Sequence, residues 1–244
     1  MLVSGRHMSR AWLSVAGAAS DDDARPAFYR AVRVEEYFAA GVRLIATDSY
    51  WLARCWVPAA HLMDDISHTE PPLEELPDRA VTIRDEEYRL RDLMKHVAKA
   101  TRKTTAPVIE IRLDLNVTTY DDDRPTLTPE MAETRVRVEI PDERIMARIV
   151  EGEWPDWRGM VHEFRGAKRT GATITAMSAW MLTALGKVAV AGACDVIGIE
   201  WIDGQRATWT GENSGLDFAP SGLFMAVRRS SDPPDDPTLD DVAA

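Results

Sequence analysis

In residues 108–117, apolar side chains occupy every second position: Ile109, Ile111, Leu113, Leu115 and Val117 alternate with polar partners. A period of two is the signature of an extended strand with one face on a core and the other in water. Thr134, Val136, Val138 and Ile140 repeat the alternation. Just upstream, within residues 86–100, Leu90, Leu93, Met94 and Val97 recur at helical spacing and define a single apolar stripe. A chain that switches from a 3.6 period to a 2.0 period in this way must lay a one-sided helix on a one-sided sheet. The fold class this dictates is α+β, with helix-plus-β-strands units whose helices lie on one face of antiparallel sheets.

The same switch occurs twice more. Residues 9–20 read as a helix with Trp12, Leu13, Val15, Ala16 and Ala19 apolar, stopped by the acidic stretch that ends at Pro26. Strands follow at 28–38, 42–47 and 51–57, separated by Ala39-Ala40-Gly41 and by a turn at Asp48-Ser49. A third helix runs from 173 to Gly192 through Ile174, Met177, Met181, Ala184, Leu185 and Val188. Strands at 196–202 and 206–210 flank an Asp203-Gly204 hairpin signal, and a last strand covers 223–228. A Pro- and acid-rich connector spans 58–80, and residues 118–132 form an acidic loop long enough to be an insertion.

Composition bounds the partners. The 244 residues, 45% hydrophobic and 28% charged, suit a globular protein. No apolar run approaches the roughly 18 residues of a membrane span, so no membrane partner is expected. Cys55 and Cys194 lack metal-ligand spacing, which points to a reducing, cytoplasmic setting. The net charge of −11 argues against nucleic acid only until its distribution is read. Acid concentrates in Asp21-Asp22-Asp23, in Asp121-Asp122-Asp123 and in the tail, whereas Arg91, Lys95, Lys99 and Arg102 stack along one side of the second helix, away from its apolar stripe. Such a row can touch phosphates without reading bases. From spacing alone it reads equally as a solvated face balanced by Asp92 and Glu86. The first and third helices add Arg10, and Lys187 with Lys168 and Arg169 nearby.

No catalytic arrangement emerges. His61, His68, His96 and His162 have no metal spacing, the aspartate triplets lack the glycine turn and distal glutamate of a calcium loop, and there is neither a phosphate-cradling glycine loop nor a nucleophile elbow. No enzymatic activity, metal or cofactor is expected.

Three segments, in order, carry a resemblance. Ala16-Gly-Ala-Ala-Ser-Asp-Asp-Asp-Ala-Arg-Pro26, the strand from Phe28, and Arg43-Leu-Ile-Ala-Thr-Asp-Ser-Tyr-Trp-Leu-Ala53 form the first. Ala147-Arg-Ile-Val-Glu-Gly-Glu-Trp-Pro-Asp-Trp157 is the second and Ser221-Gly-Leu-Phe-Met-Ala-Val-Arg228 the third. Together they resemble the bacterial DNA sliding clamp, the polymerase III β subunit, in a divergent and shortened form of the kind a phage would encode. Tyr50-Trp51 replaces that family's usual His-Arg pair, and Ala226 its proline.

The resemblance implies a division of the chain. Residues 1–8, with Ser4-Gly5-Arg6-His7-Met8, read as the scar of an expression tag. Residues 9–160 resemble the clamp's middle domain, 161–229 the C-terminal half of its last domain, and 230–244 a disordered acidic tail. Because a clamp domain holds two helix-plus-strands units, three units make one and a half. The resemblance further implies that the helices face double-stranded DNA, that the chain self-associates, and that an outer groove receives a DNA polymerase or other proteins carrying a clamp-binding motif. That groove would be walled by Thr47, Ser49, Tyr50, Trp51 and Leu52, by Pro155 and Met160, and by Met225, Ala226, Val227 and Arg228. Taken singly, Trp51, Trp154 and Trp157 read equally well as core aromatics. Two functional readings follow: a processivity clamp, or a clamp-derived adaptor that binds clamp partners without encircling DNA.

Overall fold

Two stretches of the chain fold into the same βαβββ unit. The first comprises β1 (Leu2–Ser4), α1 (Gly5–Ala16), β2 (Ala31–Tyr37), β3 (Gly41–Thr47) and β4 (Trp51–Pro58). The second comprises β5 (Arg79–Arg84), α2 (Leu90–Ala100), β6 (Glu110–Thr119), β7 (Glu133–Ile140) and β8 (Glu143–Arg148). The structure, a computed structural model, describes residues 1–20, 22–38, 40–62, 70–84, 90–102, 109–119, 133–141, 143–150, 152–167, 179–192, 194–202, 206–212 and 220–225.

The two units exchange their first strands. β1 pairs antiparallel with β6, Val3 opposite Ile111, and β5 pairs antiparallel with β2, Val34 opposite Val81. Each first strand also bridges the residue that follows its own unit's last strand, Val3 to Ala59 and Ile83 to Ile149. This reciprocity makes the pair pseudo-two-fold, with α1 against α2 at its centre. After the short helix α3 (Trp157–Gly166), a third, partial unit follows: α4 (Ala179–Gly192), β9 (Val196–Trp201), β10 (Arg206–Glu212) and β11 (Ser221–Met225). β11 pairs with β4, giving a seven-stranded sheet in the order β5-β2-β3-β4-β11-β10-β9 beside a four-stranded sheet β1-β6-β7-β8.

One core lies between the helices and both sheets. Met8, Trp12 and Val15 of α1 enter it with Leu90, Met94 and Val97 of α2, Met181, Leu185 and Val188 of α4, and the inward residues of the strands. Each such side chain contributes roughly 1.5–3 kcal/mol of transfer free energy. A second, smaller core lies on the opposite face of the seven-stranded sheet, where α3 sets Trp157, Val161 and Phe164 on Ile45, Leu52 and Leu223.

Several elements differ from the sequence reading. Residues 1–8, set aside there, are part of the fold: Val3 and Met8 are fully buried, and the Met1 ammonium donates to the Leu113 carbonyl at 2.6 Å. α1 accordingly begins at Gly5 and not at residue 9, because β1 delivers the chain directly into it and the Gly5 amide donates to the Ile109 carbonyl at 2.7 Å. α3 and β8 were not anticipated. The Asp203-Gly204 turn, the acidic tail and most of the loop read at 118–132 fall outside the described residues.

Candidate nucleic-acid interface and partner groove

The helix side of the molecule gathers cations because the apolar stripes of α1 and α2 are spent on the core, leaving their outward faces to polar residues. Arg91, Lys95 and Lys99 project from α2, with Lys95 and Lys99 exposed, and Arg102 is exposed just after it. On α1 the outward positions hold Arg6 and Arg10. Partial burial and the nearby charges of Arg6 and Arg102 all lower the Arg10 pKa, so three guanidinium groups from two helices converge. Arg6 Nε is buried without a hydrogen-bond partner among the described residues. Lys95 lies 3.5 Å from Asp92, an exposed pair that neutralises little. Lys187 is exposed on α4, on the other side of α1, and is the sole charged residue of that helix; Lys168 and Arg169 fall outside the described residues. The cations therefore centre on α1 and α2, and Arg6 joins them although the sequence reading had set it aside with the tag.

On the opposite face, the Thr47–Trp51 turn is locked by its own side chains. Asp48 Oδ1 accepts from the Tyr50 and Trp51 amides at 2.8 and 3.0 Å, and Thr47 Oγ1 donates to the Trp51 carbonyl at 2.7 Å. Burial raises the Asp48 pKa against the lowering effect of those amides. Ser49 takes φ 81°, a left-handed conformation that glycine adopts more cheaply. Arg25 steadies the turn from outside, donating to Ser49 Oγ at 2.8 Å and stacking over the Tyr50 ring.

The Pro155-Asp156-Trp157 segment has a definite job. Asp156 caps α3, accepting from the Gly159 amide at 2.9 Å, and Trp157 and Arg158 then anchor the helix on a buried carboxylate, Glu35 of β2. Glu35 accepts from Trp157 Nε1 at 3.2 Å, from Arg158 at 3.1 and 2.6 Å, from Arg33 at 2.9 Å and from the Tyr37 hydroxyl at 3.3 Å. Burial alone would raise its pKa; the hydrogen bonds from Arg158 and Arg33 outweigh that and hold the carboxyl below its usual range. At the other end of α3, Glu163 accepts from Arg206 of β10 at 2.9 Å. The helix thus straps the first unit to the third across the β4–β11 joint. Arg43 extends the network, donating to Glu70 at 2.8 Å and to the Tyr37 hydroxyl, and holds the incoming connector against β3.

These placements divide the expected groove residues. Leu52 faces the outer surface but is 3% exposed beneath α3, and Thr47 is equally buried. Trp51 points the other way, into the helix-side core, with its ring 6.3 Å from that of Trp209. It therefore cannot wall an outer groove, because alternation along β4 sends Trp51 and Leu52 to opposite faces. Ser49 and Tyr50 are exposed at the rim, while Pro155, just before α3, and Met160, on α3, are half-buried. The backbone of Met225 ends β11; Ala226, Val227 and Arg228 lie outside the described residues. The space left open beside α3 is a cavity of about 230 Å³ bounded by Phe164, Arg165, Arg54, Glu200, Thr208 and Leu223, among others. Its walls mix an apolar floor with charged and hydroxyl groups, a lining suited to a short peptide.

Burial pushes the Cys55 thiol up to about 12. Among the described residues there is no cluster of three or more histidine, cysteine or acidic side chains able to hold a metal, and no helix is long and apolar enough to cross a membrane.

Comparison with solved structures settles the architecture. The DNA polymerase III β chain of Streptococcus pneumoniae matches with a TM-score of 0.53 at 15% identity, covering 93% of this chain and 64% of that one. The chain has the fold of a DNA sliding clamp. The β subunit of Thermotoga maritima matches with a TM-score of 0.52 at 15% identity, over 93% of this chain and 65% of its own. A DnaN sliding clamp from Pseudomonas aeruginosa, bound to griselimycin, matches with a TM-score of 0.51 at 12% identity, over 93% and 65%. The chain therefore spans just under two-thirds of the length of these clamps. No family model matches its sequence, and no curated protein does.

Proposed function

We propose that the protein is a clamp-type processivity factor. It holds duplex DNA against the α1–α2 face without reading sequence, self-associates around it, and tethers a DNA polymerase or another protein carrying a clamp-binding motif at the groove beside α3. The observation that carries this reading is the convergence of Arg6, Arg10 and Arg102 with the Lys95 and Lys99 row, on the helix side of a clamp fold, in a chain of net charge −11. Acid elsewhere keeps the molecule from binding polyanions indiscriminately, while this face concentrates positive potential where long side chains can follow a phosphate backbone.

The test is duplex binding as a function of salt. Lys95→Glu with Lys99→Glu leaves the core untouched, and we expect weaker binding whose log–log salt slope is shallower by about 2, from roughly 0.9 per lost phosphate contact. Unchanged affinity and slope would reduce the row to ordinary surface. For the groove, Thr208→Arg, at a half-buried position lining the cavity, is expected to weaken binding of a clamp-motif peptide at least tenfold while leaving duplex binding intact, as measured by fluorescence anisotropy. Equal peptide affinity in both proteins would remove the groove assignment. A clamp-derived adaptor that does not encircle DNA is the second reading, favoured by one observation: the third unit is incomplete.

A further inference from the structure

The two complete units show how a βαβββ unit is finished in this fold, and the third lacks each of those finishing contacts. In the first two, the helix packs on its partner's helix, α1 on α2, and the opening strand of each three-strand meander, β2 or β6, is covered along its outer edge by the other unit's first strand. β9 is the counterpart of β2 and β6, yet it is the outermost strand of its sheet among the described residues. Its inward residues Ile197, Ile199 and Trp201 are only half-buried. α4 packs one flank on α1, and turns outward Leu182, 55% exposed, Gly186, and Val190, 83% exposed. Those three positions lie one helical turn apart on a single stripe. Where α1 and α2 present arginine and lysine to solvent, α4 presents leucine, glycine and valine, and it carries one charged residue in all, Lys187. A helix apolar on nearly every side belongs in a core.

The missing cover would stand, in the order of the fold, between α3 and α4. The residues there beyond those described, 168–178, are far too few to supply a helix and three strands, since the first unit alone spans residues 2–58. What fits against the third unit is another half with an apolar helix face, and the third unit, a helix followed by three strands, itself presents such a face. The first pair shows how two such units meet in this fold, helix on helix about a pseudo-two-fold, with α1 against α2. We infer that the α4–β9 face is an interface between two copies of this chain, in which the third units pair across a two-fold axis, α4 on α4, to complete a domain. An isologous contact of this kind needs no second surface patch. The small residue Gly186 suits the crossing point, because a Cβ there meets nothing within 4 Å in the single chain. The assembled particle then contains an even number of chains.

This deepens the self-association in the proposed function by naming its surface, and the two can fail separately. Light scattering at tens of micromolar should give an even-numbered oligomer. Leu182→Glu with Val190→Glu, both at exposed positions, should weaken the α4 contact at least 100-fold, separating the paired chains without changing the circular dichroism or melting temperature. As a second readout, Gly186→Cys should form a disulfide with its own copy under mild oxidation, giving a covalent dimer on a denaturing gel. A monomeric wild-type protein overturns the proposal. An oligomer that survives the double substitution, with no Gly186→Cys cross-link, also overturns it and would place self-association elsewhere. Failure of the Lys95/Lys99 test in a protein that still pairs through α4 would instead defeat only the DNA-binding reading.

Discussion

Glu35 is the residue on which the outer face turns. It is fully buried on β2, and four donors from β2 and α3 converge on it, Trp157 and Arg158 among them, so the start of α3 and the Pro155 segment leading into it are fixed by one carboxylate. Glu35→Gln would leave several guanidinium groups facing a neutral amide, and we expect a loss of about 3 kcal/mol, as for breaking a buried ion pair. The pH dependence has a definite sign. Because the folded carboxyl titrates below its unfolded value, its contribution is complete above the ordinary glutamate pKa of about 4.3 and is lost as pH falls through the lower folded value. Chemical denaturation should therefore show the gap between wild type and Glu35→Gln constant near neutrality and closing below about pH 4; a gap independent of pH would mean the carboxylate charge is not what anchors α3. Parts of this network were legible: arginine, glutamate and tyrosine at positions 33, 35 and 37 share one face of a strand, an unusual set to bury. Their shared partner, supplied 122 residues away by Trp157, was not, since a strand's alternation says which face a residue takes and nothing about what lands on it.

At the scale of elements, the periodic segments were legible and the interrupted ones were not. α2 and β7 fall where a 3.6 or 2.0 period puts them, whereas β3 and β4, buried on both faces, show as β-rich runs bounded by turn residues. α3 escaped although its signal was present: Asp156 as a cap, then Trp157, Val161 and Phe164 at i, i+4 and i+7. Trp51 went to the wrong face. It shares parity with Ala53, Cys55 and Val57, all buried in the helix-side core, and Leu52 shares parity with the outward Arg54. The joint between β4 and β11 depends on Gly222, where any Cβ would collide with the Leu52 carbonyl. Gly222→Ala should therefore cost about 3 kcal/mol through overpacking, read as a lowered denaturation midpoint. A midpoint within error of wild type would show that β11 is not clasped to β4 as described.

Across the whole molecule, three units of one kind explain both what is finished and what is open. Two units close on each other through exchanged strands; the third joins them edge to edge through β11 and, among the described residues, leaves one flank of α4 and the outer edge of β9 uncovered. The unit count was readable from three helix-to-strand switches in period. The strand exchange was not, because β1 is three residues long and lies in a segment that resembled a tag. On the function proposed above, this assembly surrounds duplex DNA through its basic helix side. Retention on DNA of defined topology tests it most directly: protein bound to a nicked circular plasmid is passed through a gel-filtration column at physiological salt, before and after a single restriction cut. Protein should co-elute with the closed circle and be lost once the same DNA is linear. Equal retention, or equal loss, on the two forms would contradict it.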